Sequence, residues 1–113
     1  MQQGIDPEKI IFMACDDIAD APENPFPGEI FNSPYGDNVY DPEIIDYRGK
    51  ESLTAEHFMA VMMGDKTAAG GGKVLRSTIE DNVFLFFVDH GAPGILAFPG
   101  VDEKHPFSFF YAD

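Results

Sequence analysis

The sequence predicts an α/β chain built on a mostly parallel sheet, and three segments carry that prediction. "KIIFMAC" (9–15) is a short apolar run that reads as a buried strand. "SLTAEHFMAVMMGD" (52–65) has the periodicity of an amphipathic helix. "NVFLFFVDHG" (82–91) is apolar at consecutive positions, the pattern of a central parallel strand covered on both faces. Strand, helical crossover and second strand make a right-handed βαβ unit.

The first strand follows the turn "GIDPE" and stops at the acidic "DDIAD". Residues 16–51 are irregular, with Pro22, Pro25, Pro27, Pro34 and Pro42. A loop of that length in a compact domain is functional or held by its own contacts. Within it, "IFNSPYGDNVYDPEIIDYRG" has hairpin character, β-prone pieces separated by turn residues. In the helix, Thr54 is placed to cap the amino terminus and Gly64 to end the carboxyl terminus. Leu53 and Phe58 stand at the two staple positions. Phe58, Val61 and Met62 repeat at i, i+3, i+4 and form one apolar face. "TAAGGG" (67–72) reads as a flexible connector before the second strand. No internal repeat is present, and 113 residues allow one modest core.

The balance of 7 basic against 20 acidic residues gives a net charge of −13. That argues against nucleic-acid binding and against adhesion to anionic membranes, since phosphate neutralisation and steering both need positive charge. It suits an acidic compartment, where carboxylates protonate and self-repulsion falls. No apolar run is long enough to cross a bilayer. "MQQGIDPEKI" does not have the make-up of a signal segment, so the expectation is a cytosolic chain or a missing amino terminus. The single cysteine, Cys15, excludes an internal disulfide and a cysteine-based metal cluster.

Ligands of open α/β sheets bind just past the carboxyl ends of strands. His90 lies two residues past Val88 at such an end, with Gly91 freeing the backbone behind it. A base at that position and an ordinary surface histidine both fit. Asp89 either orients the ring or simply ends the strand in water. Cys15 also ends a strand and reads as a small buried hydrophobe rather than as the thiolate of a dyad with His90. His57 falls in the first turn of the helix and reads as solvated, and His105 precedes Pro106 in a tail without a readable pattern. "TAAGGGKV" lacks the first glycine and the Ser or Thr of a phosphate loop. Neither Asp16, Asp17, Asp20 and Glu23 nor Asp37 and Asp41 match a calcium loop, so no metal or cofactor is expected.

Five blocks in order carry a resemblance: "GIDPEKIIFMACDDIADAPENPFPG", "IFNSPYGDNVY", "DYRGKESLTAEHFMAVMMGD", "GGKVLRS" and "DNVFLFFVDHGAPGILAFP". Over residues 4–99 the chain resembles the legumains, the asparaginyl endopeptidase family of caspase-like cysteine peptidases. The subunit of the glycosylphosphatidylinositol-anchor transamidase shares the architecture, but "GGKVLRS" and "DHGAPGILAFP" are closer to the legumain form. A non-enzymatic module that binds a partner through exposed strand edges is the alternative from another class.

The resemblance implies a caspase-like fold, a peptide or protein substrate cleaved after asparagine, and a lysosomal or vacuolar setting for the full-length family. It implies His90 as the general base, Gly91 as a backbone donor to the oxyanion, and Asp89 as a modulating neighbour of the base. The family's nucleophile lies in a later "E-A-C-E-S-G"-type block that this chain does not contain, and Cys15 matches a position often held by tyrosine. The first strand and helix, with the histidine's asparagine partner and a basic pocket residue, are also missing, as are the acidic specificity residues downstream. Past Pro99, "GVDEKHPFSFFYAD" (100–113) leaves the family pattern, as in a truncated gene model, splice variant or degenerate copy. The expectation is a partial peptidase domain without turnover of its own, its two strands left without a middle neighbour.

Overall fold

The computed structural model describes residues 4–100 and 107–111. Its elements are β1 (Met13–Ala14), β2 (Tyr47–Arg48), α1 (Ala55–Met62), β3 (Gly91–Ala92), β4 (Ile95–Pro99) and β5 (Phe107–Tyr111). Single 3-10 turns at Pro7–Lys9, Pro42–Ile44 and Lys50–Ser52 punctuate the loops. The chain is α/β with two small sheets.

β1 and β2 pair in parallel, Met13 opposite Tyr47 and Ala14 opposite Arg48. Side chains extend this short ladder. The Phe12 carbonyl accepts from the N–H groups of Asp46 (2.9 Å) and Tyr47 (3.1 Å), and the Phe12 N–H donates to Asp46 Oδ2 at 2.8 Å. Lys73 Nζ pairs with Asp46 Oδ1 at 2.8 Å and donates to the carbonyls of Pro7 (3.3 Å) and Ile10 (3.0 Å). One partly buried ion pair therefore ties three distant segments to the β1–β2 register.

α1 forms where the pattern places it. The Thr54 hydroxyl accepts from the His57 N–H at 3.1 Å, and Gly64 ends the helix at φ 73°. Its inner face feeds two adjoining cores. Ala60 and Val61 pack with Tyr47, Ala69 and Val74, whereas Ala55 and Phe58 pack with Phe98; Met13 touches both groups. The rings of Phe58, Phe87 and Phe98 form a triangle with centroids 5.3 to 6.3 Å apart. The connector 67–72 is a tight series of turns that buries Ala69. A side chain on Gly72 would stand 2.6 Å from the Tyr47 hydroxyl, which donates to the Lys73 carbonyl at 2.7 Å.

The structure corrects three expectations. "KIIFMAC" contributes only two residues to a sheet, and they are half-buried. β2 arises inside the stretch read as irregular, where the expected hairpin character is present as well. There Phe31 bridges Asn38, and the Val39 N–H donates to the Ile30 carbonyl at 2.8 Å. The third correction concerns residues 83–88, which form no strand. Phe84, Phe86 and Val88 are 89%, 78% and 77% exposed, and within the run only Phe87 packs inward. A central parallel strand needs a hydrogen-bonded neighbour on each edge, and among the described residues this segment has none. Among the described residues the larger sheet is antiparallel, in the order β3-β4-β5, so the expected mostly parallel sheet is not found there.

Candidate active site

His90 and Gly91 sit where the exposed run 83–88 hands over to the β3–β4 hairpin. Pro93 and Gly94 make its two-residue turn, which sets Ala92 opposite Ile95 and Gly91 opposite Leu96. The Ala97 N–H donates to the His90 carbonyl at 3.0 Å. Antiparallel pairs alternate between hydrogen-bonded and non-hydrogen-bonded types. With His90 and Ala97 the bonded pair, the Gly91 N–H is turned away from β4 to the outer edge of the sheet. Among the described residues β3 is an edge strand, and Gly91 is exposed. A side chain at Gly91 would meet the Ile95 carbonyl at 3.0 Å, a close approach that favours glycine.

Asp89 acts on the backbone. Its Oδ1 accepts from the His90 N–H at 2.6 Å, which fixes the peptide from which the imidazole projects. His90 and Gly91 are both exposed. The site thus joins an imidazole, a carboxylate neighbour and an outward N–H within three consecutive residues.

Cys15 is half-buried and lines a cavity of about 590 Å³ together with Asp17, Val88 and Asp89. Burial raises its thiol pKa above the ordinary value; Asp17 and Asp89 raise it further and Lys50 opposes them. That environment holds a thiol protonated, the reverse of an activated nucleophile. Asp16, in a left-handed conformation at φ 58°, pairs with Arg48 Nε, and Arg48 Nη2 also donates to the Tyr40 hydroxyl at 3.3 Å. Asp16 is therefore engaged in an ion pair at the end of β1. His57 is half-buried rather than solvated, and its Nδ1 has no hydrogen-bond partner among the described residues. His105 lies outside the described residues. Among the described residues, no three His, Cys, Asp or Glu side chains are grouped to hold a metal. No described helix is long and apolar enough to cross a membrane.

The model of the peptidase C13 family matches residues 1–109. The chain belongs to this family. It is 51% identical over 105 residues to a hemoglobinase of Schistosoma japonicum, covering 93% of this chain and 24% of the relative. It is 50% identical over 107 residues to a legumain of Mus musculus, covering 92% of this chain and 24% of the relative. A vacuolar-processing enzyme of Citrus sinensis is 49% identical over 98 residues, covering 85% of this chain and 20% of the relative. The chain therefore spans about a quarter of the length of the schistosome and mouse relatives.

In this C13 chain, the sequence singles out His90, Gly91 and Asp89 as candidates but does not give the edge orientation of the Gly91 N–H. That orientation is set by the two-residue turn "PG", which fixes the hairpin register; the turn was the available signal.

Proposed function

We propose that this chain is the base-bearing part of a legumain-like cysteine endopeptidase with a caspase-like fold, which cleaves peptide bonds after asparagine. His90 is the general base: it takes the proton from a cysteine thiol and returns it to the leaving amine. The Gly91 N–H donates to the oxyanion that forms when the thiolate attacks the scissile carbonyl. Asp89 holds the His90 peptide and modulates the base. The outward Gly91 N–H next in the chain to an exposed histidine carries the reading, because an acyl-transfer site needs a base and an oxyanion donor close together. The nucleophile comes from outside these residues, since Cys15 is held as a thiol. The setting is an acidic lysosome or vacuole, supported by the net charge of −13 and by the vacuolar relatives.

Two assays test the proposal. The 113-residue chain, its Cys15→Ser variant and its His90→Ala variant are each given an asparagine-containing peptide at acidic pH, and none turns it over. Cleavage by the parent chain that Cys15→Ser abolishes would overturn the assignment of Cys15. In the second assay, residues 4–99 replace the matching segment of the mouse legumain. The chimera cleaves after asparagine, and His90→Ala lowers its kcat by about 10²- to 10⁴-fold. An active chimera indifferent to His90→Ala would overturn the base assignment.

A further inference from the structure

The stretch 18–41 presents a second surface, which shares no residue with the candidate active site. It is irregular, yet two asparagines pin it from within. Asn24 Nδ2 donates to the carbonyls of Ala19 (2.7 Å) and Glu29 (3.0 Å), and Asn24 Oδ1 accepts from the Phe26 N–H at 3.0 Å. The Gly28 N–H joins the same Ala19 carbonyl at 2.9 Å, and Ala19 is buried. Asn38 Oδ1 accepts from the N–H groups of Ile30 (3.0 Å) and Tyr40 (2.9 Å). Pro25 and Pro27 restrict the chain on either side of Phe26. The backbone that presents these side chains is therefore fixed before anything binds.

One product of this frame is an aromatic corner. The rings of Phe26 and Phe31 meet edge to face, with centroids 5.3 Å apart and planes at 73°. Neither ring belongs to the cores around α1, and they stand 54% and 37% exposed. With Ile18 and Glu29 they line a groove of about 460 Å³.

The charge around the groove has one sign. Residues 16–47 carry nine carboxylates and no Lys, Arg or His. Asp16 is paired with Arg48, and Asp46 with Lys73. Among the described residues the other seven, Glu29 included, form no ion pair. An aromatic face carries the negative part of the ring quadrupole and attracts cations. A guanidinium answers every feature of the groove: it lies flat on a ring, sheds its weak hydration, and offers a fork of N–H donors to a carboxylate. An ammonium is compact and strongly hydrated, and only the carboxylate suits it.

We propose that this groove binds an arginine side chain of a partner protein, its guanidinium against the rings of Phe26 and Phe31 and its N–H groups donating to Glu29. The acidic stretch 16–47 draws basic segments in, and the aromatic corner selects arginine among them. A second copy of the chain is a poor partner. Its Arg48 is taken by Asp16, and it would have to offer Arg76 against the repulsion between two molecules of net charge −13. The inference goes beyond the proposed peptidase role, because it concerns binding alone and requires no turnover.

The probe is N-acetyl-arginine methylamide, titrated into the 113-residue chain and followed by NMR. The lysine and citrulline counterparts are the controls, and citrulline keeps the planar head but has no charge. The arginine probe shifts the amides of Phe26, Glu29 and Phe31, and its own Cδ protons move upfield under the ring current. It binds about threefold more tightly than the lysine probe and about fivefold more tightly than the citrulline probe. Phe26→Leu and Phe31→Leu each weaken the arginine probe about two- to fivefold. Glu29→Gln weakens it by a similar factor of about two to five and leaves the citrulline probe as it was.

Equal affinity for the arginine and citrulline probes, or for the arginine and lysine probes, overturns the proposal. So do parental affinity in both leucine variants and a dimer in sedimentation that Arg76→Ala dissolves. Should the leucine variants fail to fold, the parent chain decides. An arginine probe that binds without an upfield shift of its Cδ protons overturns the proposal.

Discussion

Two regions of this molecule, each rich in apolar residues, end differently. Around α1, Phe58 and Val61 are buried, and Tyr47, Val74 and Phe98 are buried with them. Along 83–88 the apolar density is higher still, yet only Phe87 reaches the core. A helix brings its own backbone hydrogen bonds and needs only something to lean on. A strand needs a neighbour for its backbone as well as cover for its side chains. The contrast teaches that an apolar run records a demand for burial, whereas the burial itself depends on partners that the run does not encode.

The comparison is broken most directly with a pair of substitutions of the same type. Phe58→Ala opens the ring triangle and lowers stability in urea by about 3–5 kcal/mol. Phe84→Ala, at a ring standing in water, changes it by less than ~0.5 kcal/mol. Comparable losses would mean that 83–88 is packed and that the two regions do not differ.

An intermediate effect is expected at the ion pair that sets the β1–β2 register. Asp46→Ala strips Lys73 of its carboxylate and the Phe12 N–H of its acceptor. The expected loss is about 2–3 kcal/mol, read from the urea midpoint. Amide exchange should then accelerate across 10–14 and leave 83–88 as it was, which sharpens the boundary between the regions.

The smallest effect carries a pH signature. The Tyr47 hydroxyl is raised above its ordinary pKa of 10.0, first by burial and then by Asp46. Below pH 10 the phenol is neutral in both folded and unfolded chains, so its contribution is fully present. As pH rises past that value, the unfolded chain ionises first, and stability falls as the pH passes through the raised folded value. Tyr47→Phe costs about 1 kcal/mol near neutrality, by orphaning the Lys73 carbonyl. It also flattens the alkaline limb of the stability profile. An unchanged limb would move the titration to another group, such as Tyr40, which is also raised, chiefly by its hydrogen bond with Asp16.

What was legible in the sequence was what local rules decide. The cap at Thr54, the stop at Gly64 and the inward face of Phe58 and Val61 are set by neighbours within a few positions. β2 was hidden because two residues carry no period, and because Tyr47 is buried by Gly72 and Val74, far along the chain. The Lys73–Asp46 pair was hidden for the same reason. His57 was misread because half-burial of a first-turn side chain depends on what packs over it. At the candidate site, the apolar run that stops at a histidine and a glycine was visible. The direction of the Gly91 N–H was not, since it depends on which residue lies across the hairpin.

The ring of Phe87 and the bond from Ala97 to the His90 carbonyl make two mooring points with a short span between them. Upstream, the chain hangs in solvent and transmits little. Downstream, β4 is anchored by the buried Ala97 and Phe98. The aim of the imidazole is therefore inherited from the hairpin on its carboxyl side. Lengthening the Pro93–Gly94 turn by a residue would swing His90 further than unravelling everything from 78 to 86.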